Sequence, residues 1–166
     1  MDSILLVGMP MCGKSTIGRL LSENLNLDYM DTDEEIEKRE GISISSIFLL
    51  KGENYFRKIE SCILDDINLI NKMVVSTGGG LPIYSNNMEK LNNIGTTIFL
   101  NTPLITLEER LKSSTNRPLL INQGGDTLRK IYDERLQVYQ SSNLIIDCEG
   151  KTPEEICEFI RIYIYK

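Results

Sequence analysis

The residues with the clearest chemistry are a glycine, lysine and serine set near the start of the chain. Gly8, Gly13, Lys14 and Ser15 complete the pattern G-x-x-x-x-G-K-[ST]. Glycine reaches backbone conformations closed to other residues, so successive N–H groups can converge on one anion. Lys14 can then reach the β- and γ-phosphates of a nucleotide, and the Ser15 hydroxyl can bind Mg²⁺. The alternative, a chance match in a glycine-containing turn, is expected in fewer than about one in a hundred chains of this length.

Two carboxylates form a second candidate group. Asp31 and Asp33 follow a short predicted strand at residues 27–30. One interpretation is that both acids only favour the start of the next helix, which is predicted from Thr32 with Glu35 at capping-box spacing. In an open α/β sheet, however, ligands bind beyond the carboxyl ends of the strands. That location favours a role for both acids beside a magnesium-bound nucleotide.

Further along, two arginines and a run of glycines could contact an anionic ligand. Arg57 and Glu60 are i, i+3 neighbours on a predicted helix, where a surface ion pair is the simplest interpretation. Arg135 taken alone is a helix surface residue. Residues 77–80 read Thr-Gly-Gly-Gly after a predicted buried strand, where many phosphate-loop enzymes carry a metal-binding acid. The glycines predict a close approach of backbone to a ligand, with a plain tight turn as the alternative.

The length and composition of the chain exclude several classes of protein and of catalytic mechanism. A length of 166 residues predicts one domain with a substantial core. A net charge of −6 argues against a nucleic-acid partner, which usually requires a basic surface. The absence of histidine excludes Ser-His-Asp and Cys-His mechanisms, leaving a carboxylate, lysine, tyrosine or water to move a proton. Four cysteines without CxxC spacing suggest neither zinc nor a disulfide framework, and no apolar stretch is long enough to cross a membrane. A cytoplasmic location is therefore expected.

The elements that must position these groups alternate along the chain. Apolar runs predict strands at residues 4–7, 27–30, 73–76, 96–100 and 143–147. Helical patterns follow the phosphate loop and recur at residues 32–40, 43–71 with a break near Gly52, 102–111 with Thr102 as the N-cap, and from about residues 127 and 152. Residues 112–126 form a polar stretch typical of an active-site lid or an ordinary exposed loop. The alternation predicts an α/β, three-layer fold around a doubly wound parallel sheet.

The closing helix carries an apolar stripe at helical spacing. Its members are Ile156, Phe159, Ile160 and Tyr163. We expect this stripe to pack in the core, with Thr152 and Pro153 opening the helix and Glu155 completing a capping box.

Six motifs in matching order resemble the shikimate kinases over nearly the whole chain. They are GMPMCGKSTIGR, Asp31-Thr32-Asp33, Phe56-Arg57-x-x-Glu60, Thr77-Gly78-Gly79-Gly80, Arg117-Pro118-Leu119-Leu120 and Tyr132-x-x-Arg135. The resemblance implies a three-layer P-loop NTPase fold like that of nucleoside monophosphate kinases, with sheet order 2-3-1-4-5, helices on both faces and a lid. It also implies ATP-dependent phosphorylation of the 3-hydroxyl of shikimate, in aromatic amino acid biosynthesis.

The resemblance also implies roles for the shikimate-binding residues. Asp33 would bind the shikimate hydroxyls and act as the base, while Arg57 and Arg135 would hold the carboxylate. A guanidinium fork suits a carboxylate better than an ammonium does. Glu60 would orient Arg57. The run Gly78, Gly79 and Gly80 would offer backbone N–H groups.

The nucleotide side follows from the same resemblance. Ser15 would bind Mg²⁺ directly and Asp31 through water, while Lys14 and Arg117 would neutralise the transferring phosphoryl group. The implied ATP-binding residues are Met11, Cys12, Gly13, Lys14, Ser15, Thr16, Arg110, Arg117, Lys151 and Pro153. The expected organisation is one kinase domain over residues 1–166, with a substrate-binding subregion at 32–60 and a lid at 112–126. Shikimate and ATP are the expected partners of a monomer, without nucleic acid or membrane.

The chain departs from the family pattern at one position. Family members commonly read G-x-x-G-x-G-K-[ST], and Met11 stands where the middle glycine is found. Cys12 lies beside Lys14 at a helix N-terminus, where thiols can be reactive, although a structural role is the simpler interpretation. Two other functions remain open: a related small-molecule kinase such as gluconate kinase, and a regulatory module that binds nucleotide without catalysis.

Overall fold

Five parallel strands form one sheet at the centre of the molecule. The computed structural model describes residues 2–69, 72–113 and 125–165. The strands are β1 (Ser3–Val7), β2 (Asp28–Asp31), β3 (Met73–Ser76), β4 (Gly95–Asn101) and β5 (Leu144–Asp147). Their order is β2-β3-β1-β4-β5, and every neighbouring pair is parallel. This confirms the order that the resemblance implies.

Helices connect the strands and cover the sheet. Within the described residues they are α1 (Lys14–Leu25), α2 (Thr32–Glu40), α3 (Ile44–Lys51), α4 (Glu53–Leu69), α5 (Asn87–Ile94), α6 (Leu104–Lys112), α7 (Gly125–Tyr139) and α8 (Pro153–Ile164), with a 3₁₀ turn at Leu81–Ile83. Right-handed crossovers place helices on both faces, where α1 packs against α8 and α4 packs against α5. The sequence did not predict α5 or the 3₁₀ turn, because both are short and weakly patterned.

The burial of β1, the middle strand of the sheet, explains why its sequence is apolar after Ser3. All five residues of β1 are buried, since β3 and β4 flank it and helices cover both faces. Its register pairs Leu6 with Ser76 of β3 and with Ile98 of β4. The strand therefore delivers the loop at Gly8 to the middle of the sheet's carboxyl edge.

Helix α1 lies close against the sheet because of one glycine. A Cβ on Gly18 would lie 2.5 Å from Ser76 Oγ and 2.6 Å from the Tyr29 ring. Ile17 and Leu21 on the same face are buried. The close approach holds the N-terminus of α1 over the carboxyl ends of β1 and β3.

Two predicted helix caps are wrong for the same physical reason. Thr32 is not the N-cap of α2. Asp31 caps this helix by accepting from the Asp33 N–H at 3.0 Å. The Thr32 hydroxyl instead accepts from the Gly78 N–H at 2.8 Å. Likewise Thr102 does not cap α6, because its hydroxyl contacts the Cys12 carbonyl oxygen at 3.5 Å. Both hydroxyls join neighbouring elements across the active edge.

The last helix was only partly predicted. Thr152 caps α8, and its N–H donates in return to the Glu155 carboxylate, which completes the capping box. Ile156 and Ile160 are buried as expected, but Phe159 is 51% exposed and Tyr163 is 43% exposed. These two side chains are not core, because they face a shallow cavity of about 330 Å³ beside the edge strand β5.

Within the described parts of the chain, no helix combines the length and apolar character needed to cross a bilayer.

Candidate active site

The phosphate loop joins β1 to α1 and needs both of its framing glycines. Gly8 has a φ of +145° and Gly13 a φ of +101°, conformations that other residues rarely adopt. A Cβ on Gly8 would also lie 3.0 Å from Cys12 Sγ and 3.1 Å from the Leu100 carbonyl oxygen. The first N–H groups of α1, from Lys14 onward, have no partner within the helix and therefore form an anion-binding end.

Lys14 is held inside this loop. Its buried ammonium donates to the carbonyl oxygens of Gly8 at 2.9 Å and Met9 at 2.8 Å, and contacts Cys12 Sγ at 3.7 Å. These bonds fix the charge at the mouth of the loop, where nucleotide phosphates would bind.

Met11 adopts the conformation for which the family pattern has glycine. Its φ is +69°, in the left-handed region. An Arg110 N–H donates to the Met11 carbonyl oxygen at 2.8 Å and so braces this part of the loop from α6. Methionine adopts this conformation at a backbone cost that glycine would avoid.

Ser15 and Asp31 provide a pair of oxygen ligands suited to Mg²⁺. The Ser15 hydroxyl donates to Asp31 Oδ2 at 2.7 Å, and the Tyr29 hydroxyl lies 3.5 Å from the same oxygen. No cluster of three or more acidic, cysteine or histidine ligands occurs among the described residues. Mg²⁺ bound with a nucleotide needs only one or two protein ligands, because phosphates and waters supply the rest. The pair therefore fits the predicted metal.

A cleft of about 390 Å³ brings the two predicted halves of the site together. Its walls are Pro10, Met11, Gly13, Lys14, Ser15, Thr16, Asp31, Asp33, Glu34, Thr77 and Gly79. The phosphate loop thus faces Asp33 from α2 and Gly79 from the loop after β3. Sequence reasoning missed Pro10, Glu34 and Thr77 as wall residues, although Pro10 and Thr77 stand inside quoted motifs and Glu34 directly follows one.

The glycine run is explained by three close side chains. A Cβ on Gly78 would overlap Asp33 Oδ1. A Cβ on Gly79 would lie 3.3 Å from Arg135 Nη1, and one on Gly80 would lie 3.0 Å from Arg57 Nη1. Each glycine therefore makes room for one side chain that the resemblance assigns to shikimate binding. The Leu81 N–H also donates to the Gly78 carbonyl oxygen at 3.1 Å, so the run includes a tight turn, and its approach to a ligand stays a prediction.

Arg57 and Glu60 are not a surface pair. Their side chains are only 14% and 2% exposed, and Arg57 Nη1 donates to Glu60 Oε2 at 2.7 Å. Burial raises the pKa of Glu60, and the hydrogen bond and charge of Arg57 oppose that rise. Burial would lower the pKa of Arg57, but Glu60 and Glu53 outweigh it and raise the pKa. The Tyr84 ring centroid, 5.5 Å from the guanidinium carbon, also confines Arg57.

A second cavity of about 280 Å³ lies on the other side of the phosphate loop. It is lined by Met11, Cys12, Gly13, Thr16, Ile17, Arg110, Cys148, Lys151, Pro153 and Ile156. Arg110, Lys151 and Pro153, which the resemblance implies as ATP-binding residues, are among these. Cys148 was not predicted, and burial raises its pKa to about 11.

One predicted site residue cannot be placed in either cavity. Arg117, together with most of the predicted lid at 112–126, lies outside the described residues. Helix α6 extends to Lys112 at the start of the predicted lid, and α7 begins at Gly125, before the predicted lid ends.

Comparison with known sequences decides the family. The sequence model of the shikimate kinase family matches residues 10–164. The chain belongs to the shikimate kinase family. A shikimate kinase of Clostridium botulinum (strain 657 / Type Ba4) is 42% identical over 165 residues, covering 98% of this chain and 96% of its own. The expectation of a kinase enzyme is confirmed with the family, which also implies ATP as the phosphoryl donor.

Solved structures of shikimate kinases closely match the fold of this chain. A shikimate kinase from Acinetobacter baumannii in complex with shikimate has a TM-score of 0.91 at 31% identity, covering 99% of this chain and 93% of its own. A shikimate kinase from Aquifex aeolicus has a TM-score of 0.86 at 40% identity, covering 98% and 96%. A gluconokinase from Sinorhizobium meliloti, at 17% identity and a TM-score of 0.61, shares the fold alone.

Proposed function

We propose that this protein transfers the γ-phosphoryl group of ATP to the 3-hydroxyl of shikimate, giving ADP and shikimate 3-phosphate. The observation that carries the proposal is the close approach of Asp33, Arg135 and Arg57 to the space that a side chain on Gly78, Gly79 and Gly80, respectively, would occupy. A hydroxyl-binding carboxylate and two carboxylate-binding guanidinium groups thereby surround one short loop. Shikimate carries both of the complementary groups.

On the nucleotide side, the N-terminus of α1 and Lys14 would hold the β- and γ-phosphates. Ser15 and Asp31 would hold Mg²⁺, which neutralises charge on the phosphates when bound. The bond between Ser15 and Asp31, at 2.7 Å, keeps these two oxygen groups together at the cleft. Adenine would occupy the 280 Å³ cavity between Arg110 and Lys151.

On the acceptor side, Arg57 and Arg135 would bind the shikimate carboxylate. Their guanidinium groups lie against adjacent peptides, Gly80 and Gly79. Glu60 holds Arg57 from inside α4, so little rotamer entropy is lost when the carboxylate binds. A planar fork then fixes the orientation of the shikimate ring.

Asp33 would receive the proton of the reacting hydroxyl. It lies in the first turn of α2, in the wall of the same cleft as Lys14. A carboxylate is the expected base in a chain without histidine. Its second contribution is orientation, because a hydroxyl bonded to Asp33 faces the phosphate loop.

We propose the cytoplasm as the location and a monomer as the working unit, with residues 32–60 as the substrate-binding subregion. Cys12, Cys62, Cys148 and Cys157 are all free thiols, as a reducing compartment favours. One chain supplies both sides of the cleft. The net charge of −6 argues against a nucleic-acid partner.

The test is ADP release by the purified protein with ATP and Mg²⁺, measured with shikimate, with gluconate and with no acceptor. We expect release that depends on shikimate, and shikimate 3-phosphate as the product by mass spectrometry. Gluconate-dependent release would assign the protein to the related sugar-acid kinases. ATP binding without release in any mixture would favour a nucleotide-binding module.

A further inference from the structure

Tyr139 is a buried tyrosine that no step of the proposed reaction uses. It is the last residue of α7, its side chain is 0% exposed, and its ring stacks on Phe99 with centroids 5.3 Å apart. The stacking on Phe99 explains why an aromatic ring stands at this position. The hydroxyl needs a separate explanation, because a phenylalanine would fill the same space without a buried polar group.

The hydroxyl reaches the glycine run. It donates to the Gly79 carbonyl oxygen at 2.6 Å. Burial raises the pKa of Tyr139 to about 12, against the opposing charge and hydrogen bonding of Arg135, so the hydroxyl keeps its proton at neutral pH. Tyr139 is thus a permanent donor to this peptide.

Arg135 also lies beside Gly79. It is the i, i+4 neighbour of Tyr139 on α7, and its Nη1 would be 3.3 Å from a Cβ on Gly79. One hydroxyl therefore links the loop after β3 to the helix that carries a carboxylate-binding guanidinium. The bond therefore adds a polar contact to the packing that sets the distance between the Gly79 peptide and Arg135.

We propose that Tyr139 is a positioning residue for shikimate. Through Gly79 it fixes the N–H groups of the glycine run relative to Arg135, so that both meet the ligand at one separation. The inference rests on the proposed function, because it names shikimate as the ligand. The residue acts through its neighbours and touches no reacting atom.

The test is Tyr139→Phe, which keeps the ring against Phe99 and removes only the hydroxyl. Tyr132→Phe is the matched control, since Tyr132 lies seven residues earlier on α7, packs against the core, and makes no hydrogen bond among the described residues. We expect Tyr139→Phe to raise the KM for shikimate about five- to tenfold, the scale of one hydrogen bond. The KM for ATP should stay within about twofold, and kcat should change less than the shikimate KM.

A double-mutant cycle with Arg135→Ala, measured by shikimate binding, distinguishes a positioning role from a general loss of stability. Tyr139→Phe should weaken shikimate binding clearly less in the Arg135→Ala background, because the group it positions is then missing.

Other results overturn the inference. A Tyr139→Phe enzyme with the shikimate KM of the wild type shows that the hydroxyl positions nothing. Equal rises in both KM values with a lower unfolding midpoint, or a variant that does not fold, assign the hydroxyl to stability instead. A wild-type protein that does not phosphorylate shikimate contradicts the proposed function itself, and the inference falls with it.

Discussion

In the proposed reaction, the choice of acceptor hydroxyl depends on Asp33. We expect Asp33→Asn to lower kcat by about 10²-fold or more, because the amide cannot accept the proton and orients the hydroxyl differently. A loose transition state needs little help from a base, so the loss belongs to the lower part of the usual range. The KM for ATP should be nearly unchanged. The measurement is steady-state ADP release in the presence of shikimate.

Glu34→Gln is the matched control for Asp33. Glu34 adjoins Asp33, lines the same cleft, and pairs with Arg19 at 2.6 Å on the surface. Its variant should keep nearly full kcat. A folded Asp33→Asn enzyme working within about threefold of the wild type would contradict the base role.

Met11 allows a direct measurement of backbone strain in the phosphate loop. At ordinary positions alanine is more stable than glycine by about 0.5–1 kcal/mol. At a φ of +69° the order should reverse, because the left-handed conformation costs a residue with a Cβ about 1–2 kcal/mol. We therefore expect Met11→Gly to exceed Met11→Ala by about 1 kcal/mol in free energy of unfolding. Both variants lose the same side-chain contacts, so urea titration of the pair isolates the backbone term.

If Met11→Ala proves the more stable of the two, the strain assigned to this position is wrong.

At the residue scale, the sequence predicted those site residues whose signal is local. Lys14, Ser15 and Asp31 stand in short motifs at strand ends, and the structure brings them to one cleft. Burial of the ion pair between Arg57 and Glu60 could not be read from i, i+3 spacing. The partner of the Tyr139 hydroxyl, 60 positions away, has no local signal at all.

Helix α4 supplies a comparison of two acids on the same arginine. Glu60 is 2% exposed and bonds Arg57 at 2.7 Å, while Glu53 is 63% exposed and bonds it at 3.0 Å. We expect Glu60→Gln to lower the free energy of unfolding by about 1–3 kcal/mol, because it weakens a buried charged hydrogen bond. Glu53→Gln should cost less than about 0.5 kcal/mol, as exposed pairs do. Thermal and urea unfolding would measure both.

The same pair tests the orienting role of Glu60. The KM for shikimate should rise in Glu60→Gln and stay near the wild-type value in Glu53→Gln, because only the buried acid fixes the guanidinium. Equal effects of the two substitutions on shikimate KM would remove Glu60 from the site.

At the element scale, strands were easier to predict than helix ends. Strands β1 and β3 are buried throughout and apolar except for one serine each, so their bounds differ from the predicted ones by at most one residue. The caps at Thr32 and Thr102 were wrong because each hydroxyl bonds a neighbouring element instead of its own helix. Such tertiary bonds leave no trace in spacing along the chain.

At the scale of the whole molecule, the sheet order creates the site. Placing β3 between β1 and β2 sets the glycine run beside both the phosphate loop and Asp31. Three segments separated in sequence then share one edge of the sheet, with α4 and α7 adding the two arginines. The predicted alternation of elements gives the fold class, but only the family resemblance supplied this order before the structure did.

Stability at high pH is a whole-molecule property to which one buried group contributes strongly. Burial raises the pKa of Tyr139 to about 12, whereas an unfolded tyrosine titrates near about 10. The folded state therefore favours the neutral form. This contribution is fully present below about pH 10 and is lost as the pH rises through about 12. Burial also raises the pKa values of Cys148 and Cys157 to about 11, so the whole protein loses stability in this range.

Tyr139→Phe separates the tyrosine from the other titrating groups, which are the same in both proteins. Between about pH 9 and pH 11 the wild type should lose about 1 kcal/mol more free energy of unfolding than the variant, because only the wild type must keep a buried phenol neutral. Urea unfolding at the two pH values, on both proteins, gives this difference directly. Parallel losses in the two proteins would mean that the Tyr139 hydroxyl titrates in the folded state as it does in the unfolded chain, and that its bond to Gly79 does not hold it in the neutral form.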